Sequence, residues 1–218
     1  TLNGATRPGT QGWQAAAISA NQSDLKMNNV RILNCNDPFA MNRGSLLMDA
    51  CELDGLNAND DLLHVVRGYA VIQNCLLYGD GEVDFDAVDG SIIRNNVISI
   101  QSTNNNQDAF DIGSGSSNIL IEGNSIFNAA DKGVSIGERS TATVRRNVIS
   151  NCAIGVAVKD SSFADIVNNT FFRNGVAINV YEKVTGQGGG SAVAVNNIFV
   201  DCLTTEVQTD EKSDIVVT

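Results

Sequence analysis

Short apolar stretches of two to five residues, alternating with polar ones, recur along most of the chain, and each run stops at an Asn- or Gly-containing corner. Asp131 to Cys152 shows the unit. Val134 and Ile136 alternate, a polar corner follows at Glu138-Arg139-Ser140, a second run ends at Asn147, and a third short run, Val148-Ile149, leads to Cys152. Its neighbours repeat it, through Phe110 and Ile112 before it and Val156 and Val158 after it. Such a period predicts an all-β solenoid, in which each unit buries its apolar face only by stacking on the next.

The corner can be followed through Asn29, Ala50, Asn74, Asn96, Asn124, Asn147, Asn169 and Asn197, in steps of 21 to 28 residues. One coil of three short strands and three turns needs about that many, so the expected architecture is a right-handed single-stranded parallel β-helix of about eight coils. The asparagines suit a bend that visits the left-handed region, and their amides can hydrogen-bond from coil to coil. Residues 28–202 form the predicted helix. Residues 1–27 are expected to be an N-terminal coil or cap, with a helical piece from Gln11 to Ile18, and residues 203–218 a C-terminal strand or linker. The longest steps contain insertions, Gln101 to Gln107 and Thr185 to Ser191, of the kind that projects from a rigid stack and carries binding residues.

Alternation assigns faces. Phe85 and Ala87, Phe110 and Ile112, Val134 and Ile136, Val156 and Val158, and Ile178 and Val180 are expected to point inward. The outward column between them then runs His64, Asp86, Asp111, Ser135, Ala157, Asn179, preceded by Asp84, Ala109, Gly133, Gly155 and Ala177. With coils about 4.8 Å apart, Asp84, Asp86, Asp108, Asp111 and Lys132 share one patch, and Gly113, Gly133 and Gly137 leave a shallow groove beside it. Crowded carboxylates raise one another's pKa or recruit a cation. Two chemistries follow. Asp84, Asp108, Asp111 and Lys132 are candidate catalytic groups for cutting a sugar chain, and Asp84, Asp86, Asp108 and Asp111 are candidate oxygen ligands for calcium. Lys132, Lys159 and Lys183 recur at nearly coil spacing, with Tyr181 close to the last two, and Lys159, Tyr181, Lys183 and Glu138 are candidate substrate-binding residues. The competing reading is a solubilising ion-pair ladder, in which the lysines pair with Glu138, Asp160 and Glu182.

Composition narrows the partners. A net charge of −11 and an isoelectric point near 4.4 disfavour nucleic acid and anionic membrane surfaces. No apolar run approaches the roughly 18 residues of a membrane span, so no membrane insertion is expected. An acidic polysaccharide is repelled too, unless a metal or a local basic cluster reverses the field. The single histidine argues against a nucleophile triad or a zinc site as the chemistry. Of five cysteines, Cys51 and Cys75 fall in stacked positions, which allows either a disulfide or two buried thiols. The chain opens on Thr1 and is expected to be a piece of a longer protein. Oligomeric state is left open.

Residues 28–202 resemble the right-handed parallel β-helix proteins of the pectate-lyase-like superfamily. Asn106-Gln107-Asp108-Ala109-Phe110 and Lys132-Gly133-Val134-Ser135-Ile136-Gly137 are similar to two polygalacturonase segments, with Glu82-Val83-Asp84 one coil upstream and Ala157-Val158-Lys159 one coil downstream. The resemblance implies Asp108 as general acid, Asp84 as a carboxylate activating water and Lys159 as the lysine on a substrate carboxylate. Ala109, Lys132 and Ala157 replace the family's second aspartate, histidine and arginine. Asp-Lys-Gly-Val-Ser-Ile-Gly-Glu, Val-Lys-Asp-Ser and Tyr-Glu-Lys resemble uncharacterised β-helix modules of large secreted bacterial proteins, which implies a secreted or cell-surface location. The expected function is therefore a polysaccharide hydrolase or lyase. A non-catalytic carbohydrate-binding or adhesive module, or a structural stalk, are the alternatives.

Overall fold

Runs of three to six strand-forming residues are too short to bury both faces alone, and the chain solves this by winding them into three walls around one apolar interior. The computed structural model describes residues 1–3, 16–55, 61–101 and 106–218, and every pairing between its strands is parallel. The back wall has nine strands, from Leu2–Asn3 through Ser125–Phe127 to Ile198–Val200. The front wall contains Asp61–Val66, Glu82–Asp86, Phe110–Gly113, Lys132–Ile136, Ile154–Lys159, Val176–Tyr181 and Thr205–Thr209. The flank wall contains Tyr69–Gln73, Ile92–Arg94, Ile119–Glu122, Thr141–Arg145, Phe163–Val167, Ser191–Val195 and Asp214–Val217. Front and flank are one continuous sheet because the 11-residue strands Ile18–Asn28 and Phe39–Asp49 run around the corner between them. The expected all-β parallel solenoid, with three strands per coil, is the architecture observed. Ile18–Asn28 already pairs along its length with Phe39–Asp49. Residues 203–218 supply the last front and flank strands. Most of the expected helical piece, residues 11–15, lies outside the described residues.

The interior is a set of columns. Val83, Phe110, Val134, Val156 and Ile178 stack along the front wall, as do Phe85, Ile112, Ile136, Val158 and Val180, and all are fully buried. Each such side chain contributes about 1.5–3 kcal/mol on burial. The register corrects one expectation. Phe110 lies on Val83 and Ile112 on Phe85, whereas Ala87 is exposed at a corner with φ 53°. The strand Glu82–Asp86 therefore sits two residues from its expected alignment.

A second correction concerns the corners. The residue in the left-handed region is Asn29, Ala50 and Asn74 in the early coils, but Asn95, Gly123, Arg146, Asn168 and Asn196 later. Asn96, Asn124, Asn147, Asn169 and Asn197 stand one residue further on, where they form the amide ladder. From Asn96 to Asn169 each Nδ2 donates to the next Oδ1 at 3.0–3.1 Å, and each Oδ1 also accepts a backbone N–H. Cys51 and Cys75 hold this same ladder position in earlier coils. The Cys51 amide approaches Cys75 Sγ at 3.4 Å and the Cys75 amide donates to Asn96 Oδ1 at 2.9 Å. Both are free thiols, as are the other three cysteines.

Candidate functional site

Three alternate residues of one strand, Glu82, Asp84 and Asp86, project from the front wall because side chains two apart share a face. Stacking then adds their neighbours. Asp84 is flanked by His64 below and Asp111 above, and Asp86 by Val66 and Gly113. The outward column is thus His64, Asp84, Asp111, Ser135, Ala157, Asn179, with Asp84 in the place expected for Asp86. Asp108 lies just before Phe110, where its amide donates to Glu82 Oε2 at 3.1 Å and its Oδ1 accepts the Lys132 amide at 2.9 Å.

The wall gathers Asp84, Asp108, Asp111 and Lys132 on one side of the molecule, as expected, but more deeply than alternation indicates. Lys132 and Asp108 are 3% and 4% exposed. Lys132 Nζ lies 3.3 Å from Asp108 Oδ1 and also pairs with Asp131. Lys159 is equally buried, and its Nζ is 2.7 Å from Ser135 Oγ. To reach it the chain of Lys159 lies over Gly137, where an added Cβ would come 2.7 Å from Lys159 Cε. Tyr181 stacks on Lys159 from the next coil. Gly133 does not line the groove. It faces inward, close to Ile149 and Cys152.

Glu138 and Lys183 belong to the rim rather than the wall. Glu138 Oε2 accepts the Ser114 amide at 2.9 Å, and the Lys183 amide donates to Asp160 Oδ1 at 2.8 Å. The side chain of Lys183 is exposed. Of the anticipated lysine pairs, Glu182 is taken instead by Lys212.

Burial governs the protonation of the wall. It pushes Glu82 up to about 8 despite the Asp108 amide, with the charges of Asp108 and Asp111 adding to it. It pushes Asp84 to about 8 against the pull of His64, and Asp108 to about 6 against Lys132. Burial also lowers Lys159, with Asp111 opposing and Lys132 reinforcing, and raises Tyr181. Lys132 moves the other way, its burial outweighed by Asp108 and Asp131. Carboxyls that keep a proton near neutrality beside others that do not are the equipment of acid–base chemistry.

Sequence reasoning set His64 and Ser135 on the outward column without giving them a role in the site, and it missed Asp61 and the part played by Glu82. Glu82 was reachable from the alternation Glu82, Asp84, Asp86. Asp61 was not, because the register shifts between Asp61 and Leu63. His64 is clamped by Asp61 at 3.0 Å, Asp84 at 3.3 Å and Asp86 at 3.4 Å. Burial opposes its charge, but the Asp61 and Asp86 hydrogen bonds and the Asp84 charge prevail and raise it to about 10. Among the described residues, the ligand atoms that converge within 4.8 Å are those of Asp61, His64 and Asp84. It shares Asp84 alone with the expected calcium quartet. Calcium takes six to eight oxygens, more than this trio offers, and His64 contributes nitrogens rather than oxygen to it.

A search of curated proteins returned no match. Three solved structures illustrate the likeness of shape. DFA-IIIase from Arthrobacter chlorophenolicus A6 in complex with GF2 superposes with a TM-score of 0.61 at 10% identity, over 99% of this chain and 61% of that one. The chain thus spans about 61% of that enzyme's length. Alginate lyase from Paenibacillus sp. str. FPU-7 gives 0.45 at 14% identity, over 85% and 90% of the two chains. Tailspike protein 2 of Escherichia coli O157:H7 bacteriophage CAB120 gives 0.48 at 11%, over 91% and 38%. At such identities the likeness is one of fold. The model of the right-handed β-helix region matches residues 16–199, and with the parallel three-walled coil observed over the same span, the chain belongs to the right-handed parallel β-helix family.

Proposed function

We propose that the front wall is a carbohydrate site and that the protein cleaves a polysaccharide there, with Asp108, Asp84 and Asp111 as the acid–base groups and Lys132 holding Asp108. The observation that carries this reading is the cluster of half-buried Glu82 and Asp84 with buried Asp108, carboxyls raised to between about 6 and about 8 on one outward face. Stability alone gives no reason to crowd them there, since like charges opposite each other destabilise a sheet. Lys159, Tyr181, Lys183 and Glu138 extend the groove along the coils above as substrate contacts. DFA-IIIase, crystallised with GF2 on a similar fold, is consistent with this use of the scaffold. A secreted or cell-surface location belongs to the same proposal, in keeping with the likeness of several segments to modules of secreted bacterial proteins.

Calcium bound by Asp84, Asp86, Asp108 and Asp111 is proposed only as an accessory, and no chemical step passes through it. Calorimetry on chelator-treated protein that shows no heat on calcium addition removes it. A second reading, a binding or adhesive groove without turnover, is favoured by Ala157, a fully buried alanine in the middle of the outward column. Reducing-end release from a polysaccharide panel, run beside glycan-array binding, separates the two. Product supports the enzyme, binding without product supports the module, and neither removes the carbohydrate site.

A further inference from the structure

We propose that the back wall carries a second glycan site, a strip that holds an extended, uncharged, ribbon-forming polysaccharide without cutting it. The strip shares no residue with the front wall and does not depend on the acid–base reading.

Leu77, Ile98, Ile126, Ile149 and Phe171 are fully buried, so their neighbours on each back-wall strand point outward. One outward column contains Leu76, Val97, Val148 and Ile198, 40–58% exposed, with Ser125 and Thr170 between them. The other runs Tyr78, Ser99, Phe127, Ser150, Phe172, Val200. Neither column holds a charged side chain, in a chain whose net charge is −11. A face without charge is matched to a partner without charge, because an ionic group seated on it would lose water and gain no counter-ion.

The outline selects the kind of partner. The strip is about 24 Å long, with its two columns about 7 Å apart. That falls well short of the roughly 800 Å² per partner of a stable protein interface, so a second copy of the chain is a poor occupant. A polymer one sugar unit wide covers it. The half-buried rings of Tyr78, Phe127 and Phe172 stand on every second rung, with a serine between each pair. Their rungs are therefore about 10 Å apart. In an extended, equatorially linked glycan successive units flip, so every second unit presents the same face, at nearly that advance. Aromatic rings cover the apolar C–H face of such a unit. The Tyr78 hydroxyl donates to Glu52 Oε1 at 2.8 Å, which fixes the first ring. Exposed amides border the strip, Asn95 and Asn168 along one corner and Asn128 and Asn151 along the other, and amides both donate to and accept from sugar hydroxyls. Arg173 reaches over Phe172, 5.0 Å from its centroid, so Phe127 is the ring to test.

The test is affinity electrophoresis of the whole chain in gels holding hydroxyethyl cellulose, with amylose, a coiled glucan of the same sugar, as the control for shape. The expected result is retardation by hydroxyethyl cellulose and not by amylose, unchanged by added salt because no charge takes part. Phe127→Leu keeps the apolar bulk and removes the ring, and should weaken binding at least about tenfold. Phe127→Tyr keeps the ring and should bind as the parent does. Upfield shifts of cellohexaose protons on adding the parent protein report stacking without any variant, and their absence overturns the proposal. No retardation by hydroxyethyl cellulose, equal retardation by amylose, or full binding in Phe127→Leu also overturns it. So does a dimer in sedimentation that Val148→Asp dissolves, since a second copy would then be the occupant. None of these outcomes bears on the front wall.

Discussion

The front and flank walls are built from the same coils with the same strand spacing, yet they treat charge in opposite ways. On the flank wall the outward column runs Asp49, Gln73, Arg94, Glu122, Arg145. Neighbours there are complementary. Arg94 donates to Gln73 at 2.7 and 3.0 Å, and Glu122 accepts from Arg145 at 3.0 and 3.2 Å and from Arg146 at 3.1 Å. These pairs hold Glu122 below the usual carboxylate range. On the front wall Asp84 lies directly beneath Asp111, and burial drives Glu82 and Asp84 the opposite way. A ladder that serves only the fold looks like the flank. The front wall departs from that pattern while the interior columns behind it continue unbroken, so its crowding belongs to the outward face and not to a local failure of the fold.

The sharpest way to break the comparison is to neutralise one acid on each wall. Asp108→Asn should lower turnover of any responsive glycan by about 10²–10⁴-fold, with the fold preserved by circular dichroism. Full activity in that variant removes Asp108 from the acid role.

Next in size is the pH dependence of stability. The folded chain retains protons on Glu82, Asp84 and Asp108 that the unfolded chain releases near pH 4, so each carboxyl costs stability as pH rises from about 4 towards 6 to 8. His64, raised to about 10, stabilises fully below about 6.5 and loses that contribution as pH climbs through about 10. Both effects have the same sign. The unfolding free energy from urea titrations should therefore fall from pH 5 to pH 9, by a few kcal/mol in all, and Asp84→Asn should flatten the lower part of the slope. A free energy that rises over this range contradicts the protonation pattern of the front wall.

A smaller effect is expected from Gly137→Ala. The new Cβ must displace Lys159 Cε, which lies 2.7 Å from its position. A flexible side chain can move, so stability should change by less than about 1 kcal/mol, whereas activity should drop roughly tenfold as Lys159 leaves Ser135. Equal activity in the variant shows that the lysine's placement does not matter to the groove. The least effect belongs to the flank. Glu122→Gln should leave turnover unchanged and cost no more than about 1 kcal/mol, because exposed ion pairs contribute little.

How far the site was legible follows from the same geometry. Alternation correctly turned Val134, Ile136, Val156, Val158, Ile178 and Val180 inward, and it placed Asp84, Asp111 and Ser135 outward. It misaligned Glu82–Asp86 because a slip of two residues leaves every side chain on its original face. A slip of one would have exposed Val83 and Phe85 and betrayed itself. The corner residue Ala87, left-handed without being Gly or Asn, gave no warning of where that strand ended.

The amino-acid order alone determined that this chain must coil: its apolar runs are too short and too regularly spaced to be buried in any way except against the next copy of themselves. It also determined that acidic groups would accumulate on one wall. Only the tertiary structure decided which of them touch. The Asp84–Asp111 stack, the enclosure of His64 and the retreat of Lys132 and Lys159 beneath the surface depend on register, bulges and side-chain reach across coils. Those are set by contacts between residues more than twenty positions apart, which a local pattern does not encode.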